Sequence, residues 1–113
     1  MTKNKQPSED QKRALRGYLN ELGNLIEDAK KLTEKTLNTS PALAKKVDKI
    51  HSAICKMRIE EDVTGHLLTI YFLLDGAPEI APSPEYKSTL PDIIRSAVSS
   101  WERAKLNLEK LIS

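Results

Sequence analysis

The chain has 113 residues, a formal net charge of +2, 39% apolar residues and 30% charged residues. This length allows one domain that buries about two-thirds of the surface of the unfolded chain. With four glycines and 4% aromatic residues, the composition favours an all-α protein over a β-sandwich. Because lysines and acids are interspersed, the small positive charge predicts no direct nucleic-acid interface.

Three features of the sequence favour an intracellular protein. Cys55 is the sole cysteine, so an internal disulfide and an oxidising compartment are not expected. The first ten residues, MTKNKQPSED, contain no apolar segment of a secretory signal. The longest apolar run is far shorter than the ~20 residues of a membrane-spanning helix. We expect no membrane contact, a disordered tail over residues 1–7 and one helical domain over residues 8–113.

The first predicted element is a long amphipathic helix over residues 9–38. Ser8 and Gln11 have the spacing of a capping box, which marks the helix start. Apolar residues then follow a heptad seam with alternating spacings of three and four, formed by Leu15, Tyr18, Leu22, Leu25, Ala29 and Leu32 and continued by Thr36. A seam of this kind packs inside a bundle or pairs with a helix of another chain.

Two further helices are predicted in the middle of the chain. The second runs over residues 41–57, with Ser40 as its N-cap and Pro41 in its first turn. The third runs over residues 63–74 and contains HLLTIYFLL, which is apolar on nearly every side. Since a strand there would have no partner strand, we interpret it as a central helix surrounded by its neighbours.

A proline-rich loop is predicted over residues 75–88. Gly76 is expected to end the third helix in the left-handed conformation. The three prolines that follow oppose a regular helix, and they are Pro78, Pro82 and Pro84. Ile80 would then lie exposed in this loop unless it packs back against the helices.

The last helix is predicted over residues 90–112, where apolar residues again recur every three or four positions. Trp101 lies in the middle of this seam and is expected to be a core residue. The four elements together predict an all-α protein with an up-and-down four-helix bundle.

The sequence contains no convincing catalytic or cofactor motif. His51 and Cys55 are one helical turn apart, a spacing that could join a base to a nucleophile. Neither lies beside a glycine-rich turn, and a zinc site would need more ligands than these two and His66 provide. We therefore expect a non-enzymatic protein without a metal or another cofactor. Ser40-Pro41 could accept a phosphate, but a helix cap is the preferred interpretation.

One segment resembles a known family. Residues 46–63, KVDKIHSAICKMRIEEDV, contain an Ile-His pair, a second isoleucine three residues later and an apolar–basic–Ile–acid turn before an Asp-Val helix start. This pattern is similar to the start of the integrase-binding domain of lens epithelium-derived growth factor, a member of the TFIIS N-terminal-domain-like helical modules. Residues 92–104, DIIRSAVSSWERA, look like the last helix of such modules.

The resemblance implies a nuclear scaffold that binds short, disordered, partly acidic motifs of transcription and chromatin proteins. Ile59 and Glu60 match the residues of the binding loop between helices. Tyr86 and Leu90 correspond by position to a second binding loop, and Ile80 lies at its start. We therefore predict a non-enzymatic interaction domain that docks flexible peptide motifs at these loops. The alternative is an assembly domain that forms homo- or hetero-oligomers through the heptad face of the first helix.

Overall fold

The computed structural model describes residues 7–58, 63–80 and 90–112. Within these ranges the chain forms four α-helices and a short 3-10 turn over Leu37–Thr39. The helices are α1 (Glu9–Lys30), α2 (Ser40–Lys56), α3 (Thr64–Ile80) and α4 (Leu90–Ile112). The predicted all-α four-helix bundle is confirmed, as are the predicted limits of the last helix. Pro7 is buried, whereas residues 1–6 of the predicted tail lie outside the described part of the chain.

Neighbouring helices in the bundle run in opposite directions. An Arg16 guanidinium nitrogen donates to the backbone oxygen of Ile112 at 3.4 Å, so the start of α1 lies at the end of α4. The Ser40 hydroxyl donates to the backbone oxygen of Leu74, which places the start of α2 beside the second half of α3. Both α1 and α3 pack against α2 and α4. The helices α1 and α3 therefore occupy opposite corners of the bundle.

The core lies where the inward faces of the four helices meet. Several large side chains are completely or almost completely buried, including Leu15, Leu22, Ile26, Val47, Ile54, Leu67, Ile70, Leu74 and Leu108. Trp101 is 8% exposed and belongs to the same cluster, as its position in the seam predicted. Burial of such side chains stabilises the fold by about 1.5–3 kcal/mol each.

The predicted capping box at the start of α1 is present. The Gln11 backbone N–H donates to Ser8 Oγ at 3.2 Å, and the Ser8 backbone N–H donates to Gln11 Oε1 at 3.0 Å. This exchange satisfies two backbone N–H groups that the first turn of a helix leaves without partners.

The predicted end of the first helix at residue 38 is wrong, because α1 stops at Lys30. Hydrogen bonds within a group of three threonines involve backbone groups that would bond to each other in a longer helix. The backbone N–H of Thr33 donates to Thr36 Oγ1 at 2.9 Å, and Thr39 Oγ1 donates to the Thr36 carbonyl at 2.7 Å. Such local bonds compete with helical ones, so the heptad pattern continues in sequence while the helix does not.

The helix α3 is longer than predicted, and the predicted loop over residues 75–88 begins too early. Gly76 does not have the left-handed conformation that was expected, and the helix continues through Pro78 to Ile80. A proline inside a helix leaves the carbonyl four residues earlier without its usual N–H donor. That carbonyl belongs to Leu74, and the Ser40 hydroxyl donates to it at 2.6 Å. The bond from α2 therefore replaces the one that Pro78 removes.

Ser40 was predicted to be the N-cap of α2, and this prediction is wrong. Its backbone angles are helical, with φ −57° and ψ −42°, and it is completely buried. Thr39 precedes α2 and makes no capping bond with its side chain. The predicted role of Ser40 at the helix start is thus corrected to a donor that joins two helices, and burial makes it inaccessible to a modifying enzyme in the folded chain.

The extended end of α3 packs into a second small core. Leu37, Ala77 and Ile93 form a buried cluster, against which Leu73 and Leu90 pack. The 3-10 turn, the last part of α3 and the first turn of α4 meet there. This cluster stabilises the end of the bundle that contains the Ser40–Leu74 bond.

Replacing Arg58, which follows the end of α2, with glycine is expected to stabilise the protein. Arg58, two residues beyond α2, has a φ of 55°, and its N–H donates to the Cys55 carbonyl at 3.2 Å. A Cβ atom is unfavourable in this left-handed conformation, which glycine adopts readily. Arg58→Gly should raise the free energy of unfolding by about 0.5–1 kcal/mol, measured by urea denaturation. Arg58→Ala keeps the Cβ atom and should change little; an equal gain with alanine would contradict the backbone explanation.

Candidate functional site

Three of the five residues predicted to bind a partner lie in parts of the chain that the structure does not describe. Ile59, Glu60 and Tyr86 lie outside the described residues. Ile80 is the last residue of α3 and not part of a loop, which corrects its predicted setting. Leu90 begins α4 and is half-buried against the second core cluster, so at least part of its side chain stabilises the fold.

The expectation that neighbouring helices surround α3 on every side is wrong. The helix packs against α2 and α4 with one face, formed by Val63, Leu67, Ile70, Leu74 and Ala77. Phe72 lies on the opposite side of the helix and is 61% exposed. An exposed phenylalanine in a helical segment that is apolar on nearly every side marks a surface with no cover from the described part of the chain.

Phe72 forms an apolar surface with Leu68 and Tyr71, and we call these three residues the Phe72 patch. Leu68 is one helical turn before Phe72 and is half-buried. The Tyr71 and Phe72 rings have centroids 5.3 Å apart and an interplanar angle of 58°. Tyr71 also packs against the main core. The core therefore holds one side of the patch in place and leaves the other side accessible.

Exposure alone does not distinguish this patch, since Leu106 on α4 is also 61% exposed. The residues one turn before and after Leu106 are all charged, and they are Glu102, Arg103, Glu109 and Lys110. Single exposed apolar residues in such surroundings are normal on protein surfaces. Leu106 is therefore a suitable comparison for Phe72, because both are large apolar side chains of equal exposure and their surroundings differ.

A groove lies on another side of the bundle, between α1 and α4. Its volume is about 380 Å³, and it is lined by Leu19, Asn20, Gly23, Asn24, Glu27, Trp101 and Lys105. We call it the Gly23 groove. Gly23 lies opposite Trp101: a Cβ atom added to Gly23 would be 3.8 Å from Trp101 Cζ2. The groove therefore combines an apolar floor with a polar rim.

The spacing of His51 and Cys55 produces a real contact. Cys55 Sγ is 3.6 Å from His51 Nε2, and His51 Nδ1 is 3.8 Å from Asp48 Oδ1, so three side chains form a row along α2. Asp48 was missed from the sequence, although its position one turn before His51 was a usable signal. All three lie within one helix, where interior N–H groups already bond within the helix and cannot stabilise an oxyanion. Cys55 is exposed, whereas His51 and Asp48 are half-buried, so the row lies along the outer surface of α2.

Within the described residues, no group of three or more histidine, cysteine or acidic side chains is placed to hold a metal ion. A search of the same residues finds no helix with the length and apolar character needed to cross a membrane. Comparisons with protein-family models, with curated proteins and with solved structures find no match. The similarity of residues 46–63 and 92–104 to TFIIS N-terminal-domain-like modules therefore stays a prediction.

Proposed function

We propose that this chain is a non-enzymatic protein-interaction module whose Phe72 patch binds apolar side chains from a segment of another protein. The exposure of Phe72 beside Leu68 and Tyr71 is the observation that supports this function. Aromatic side chains on a rigid helix lose little conformational entropy on binding and contribute strongly to protein interfaces.

The charges of α3 favour a partner segment with basic residues beside its apolar ones. The charged residues of this helix are Asp75 and Glu79, both exposed and both in its second half. Neither forms an ion pair within the described part of the chain. A lysine or arginine next to the apolar side chains could approach these carboxylates, which would orient the segment along α3. Basic residues differ from the partly acidic motifs that the family resemblance implies.

Replacing Phe72 with serine should weaken partner binding at least tenfold, because an interface loses its aromatic anchor. A phage library of random 12-residue peptides can supply the ligands, with affinities of selected peptides measured by isothermal titration calorimetry. We expect selected sequences to combine apolar residues with lysine or arginine. Since Phe72 is exposed, circular dichroism and the melting temperature should stay close to those of the wild type.

Leu106→Ser is the matched control and should leave peptide affinity unchanged. Equal loss with both variants, or selected peptides that bind Phe72→Ser as well as the wild type, would contradict the proposal. Sedimentation velocity tests whether a second copy of the chain binds the patch instead of a peptide. A dimer that Phe72→Ser abolishes would show that it does, and the proposed peptide partner would then be wrong.

The assembly alternative has less support from the geometry. The seam of α1 contains Leu15, Leu22, Leu25 and Ala29, all buried inside the bundle. Pairing of two chains through this face would require the bundle to open. The proposal of a nuclear partner in transcription or chromatin depends on the sequence resemblance alone, and so do the proposed contacts of Ile59, Glu60 and Tyr86.

A further inference from the structure

The Gly23 groove depends on a glycine that the packing of α1 against α4 does not require. Trp101 Cζ2 would be 3.8 Å from a Cβ atom at position 23, which is an ordinary contact distance. An alanine would therefore fit at this position and would favour the helix more than glycine does. Trp101 is 8% exposed, and the glycine leaves part of its ring edge accessible between α1 and α4. The groove can thus accept an apolar group against Trp101 and Leu19.

The rim of the groove carries two equivalent amide side chains. Asn20 and Asn24 are exposed, and neither forms a hydrogen bond with another described residue. Each carboxamide has both a donor and an acceptor. Residues four apart on a helix are separated by about 6 Å along its axis. Alternate residues of an extended chain are about 6.6 Å apart, so the two amides could each pair with the N–H and C=O groups of alternate residues in one extended segment.

Trp101 adds a third polar group. Its indole nitrogen forms no hydrogen bond within the part of the chain that the structure describes. The nitrogen is not fully buried either, so it is in contact with solvent. This nitrogen lies on the same ring edge as Cζ2, the atom that faces Gly23. It is therefore a donor close to the groove that a ligand carbonyl could use.

We propose that the Gly23 groove binds an extended peptide segment of another protein. One apolar side chain of the segment contacts Trp101 and Leu19, while Asn20 and Asn24 bond to its backbone. A helical ligand does not match the rim, because its backbone groups are already paired within the helix. This inference does not depend on the Phe72 patch, which lies on another helix and binds side chains rather than backbone.

A leucine at position 23 should fill the groove without unfolding the protein. We expect Gly23→Leu to raise the melting temperature by about 4 °C, since leucine favours a helix more than glycine does. Heptapeptides selected from a phage library on the wild type, with counter-selection on Gly23→Leu, are the probe. These peptides should share one apolar residue and bind Gly23→Leu at least tenfold more weakly. Because Trp101 is the sole tryptophan, its fluorescence reports occupation directly.

Gly17→Leu is the matched control, because a Cβ atom there meets nothing within 4 Å. It should raise the melting temperature similarly and leave affinity unchanged. N-methylation of the peptide amides next to the apolar residue should weaken binding at least tenfold. Equal affinity of the methylated peptide, or failure to select any peptide that Gly23→Leu rejects, would overturn the inference. Phe72→Ser should not affect these peptides, so a failure at either surface can be recognised separately.

Discussion

Replacing Ser40 with alanine is expected to lower the free energy of unfolding by about 1–3 kcal/mol, because a buried carbonyl loses its donor. The Ser40 hydroxyl is completely buried and donates to the Leu74 carbonyl at 2.6 Å. Pro78 cannot supply the N–H that this carbonyl would otherwise receive. Urea denaturation followed by circular dichroism measures the loss, with unchanged m-values as the check on two-state behaviour.

A second substitution tests the cause of this loss. In Pro78→Ala the new backbone N–H at position 78 can donate to the Leu74 carbonyl within α3. Ser40→Ala should then cost less than it does in the wild-type background, with a coupling energy of about 0.5–3 kcal/mol between the two positions. Additive effects would show that Ser40 stabilises the protein in some other way.

Replacing Leu67 with alanine should be the most destabilising single change considered, at about 2–5 kcal/mol. Leu67 is fully buried on the inward face of α3, so alanine leaves a cavity between α3 and its neighbours. Thermal and urea denaturation both measure the effect. Leu68→Ala is the control, since this half-buried residue belongs to the Phe72 patch, and its loss should be about 1 kcal/mol or less. Similar losses at both positions would contradict the assignment of an inner and an outer face.

Hydrophobic spacing was sufficient to predict the four helices and the limits of α4. The capping residues Ser8 and Gln11 also defined the start of α1 correctly. The same spacing failed at the end of α1, because it records which residues are apolar and not which backbone groups are already bonded. Thr36 and Thr39 were the signal that the heptad pattern concealed, since their hydroxyl groups bond to the local backbone.

The extension of α3 could not be predicted from local sequence. Proline normally opposes a helix interior, and this rule led to the predicted loop. The compensating hydroxyl belongs to Ser40, which is 34 residues away from Leu74 in the chain. A contact at that separation is invisible to any rule that considers only neighbouring residues.

The candidate surfaces were missed for a related reason. An apolar residue such as Phe72 gives the same sequence signal whether a neighbouring helix covers it or not. Only the arrangement of α2 and α4 shows that the Phe72 side of α3 is uncovered. Trp101 was correctly predicted to be a core residue. Its partly open edge depends on Gly23, which lies on a different helix and far away in the sequence.

The positions of α1 and α3 at opposite corners separate the two proposed surfaces. The Phe72 patch faces away from the bundle at the corner of α3, while the Gly23 groove opens between α1 and α4. Two ligands could then be held at once without overlap. If both ligands were segments of one long partner chain, binding of one segment would raise the effective concentration of the other at its site. Two weak contacts would then together give high affinity.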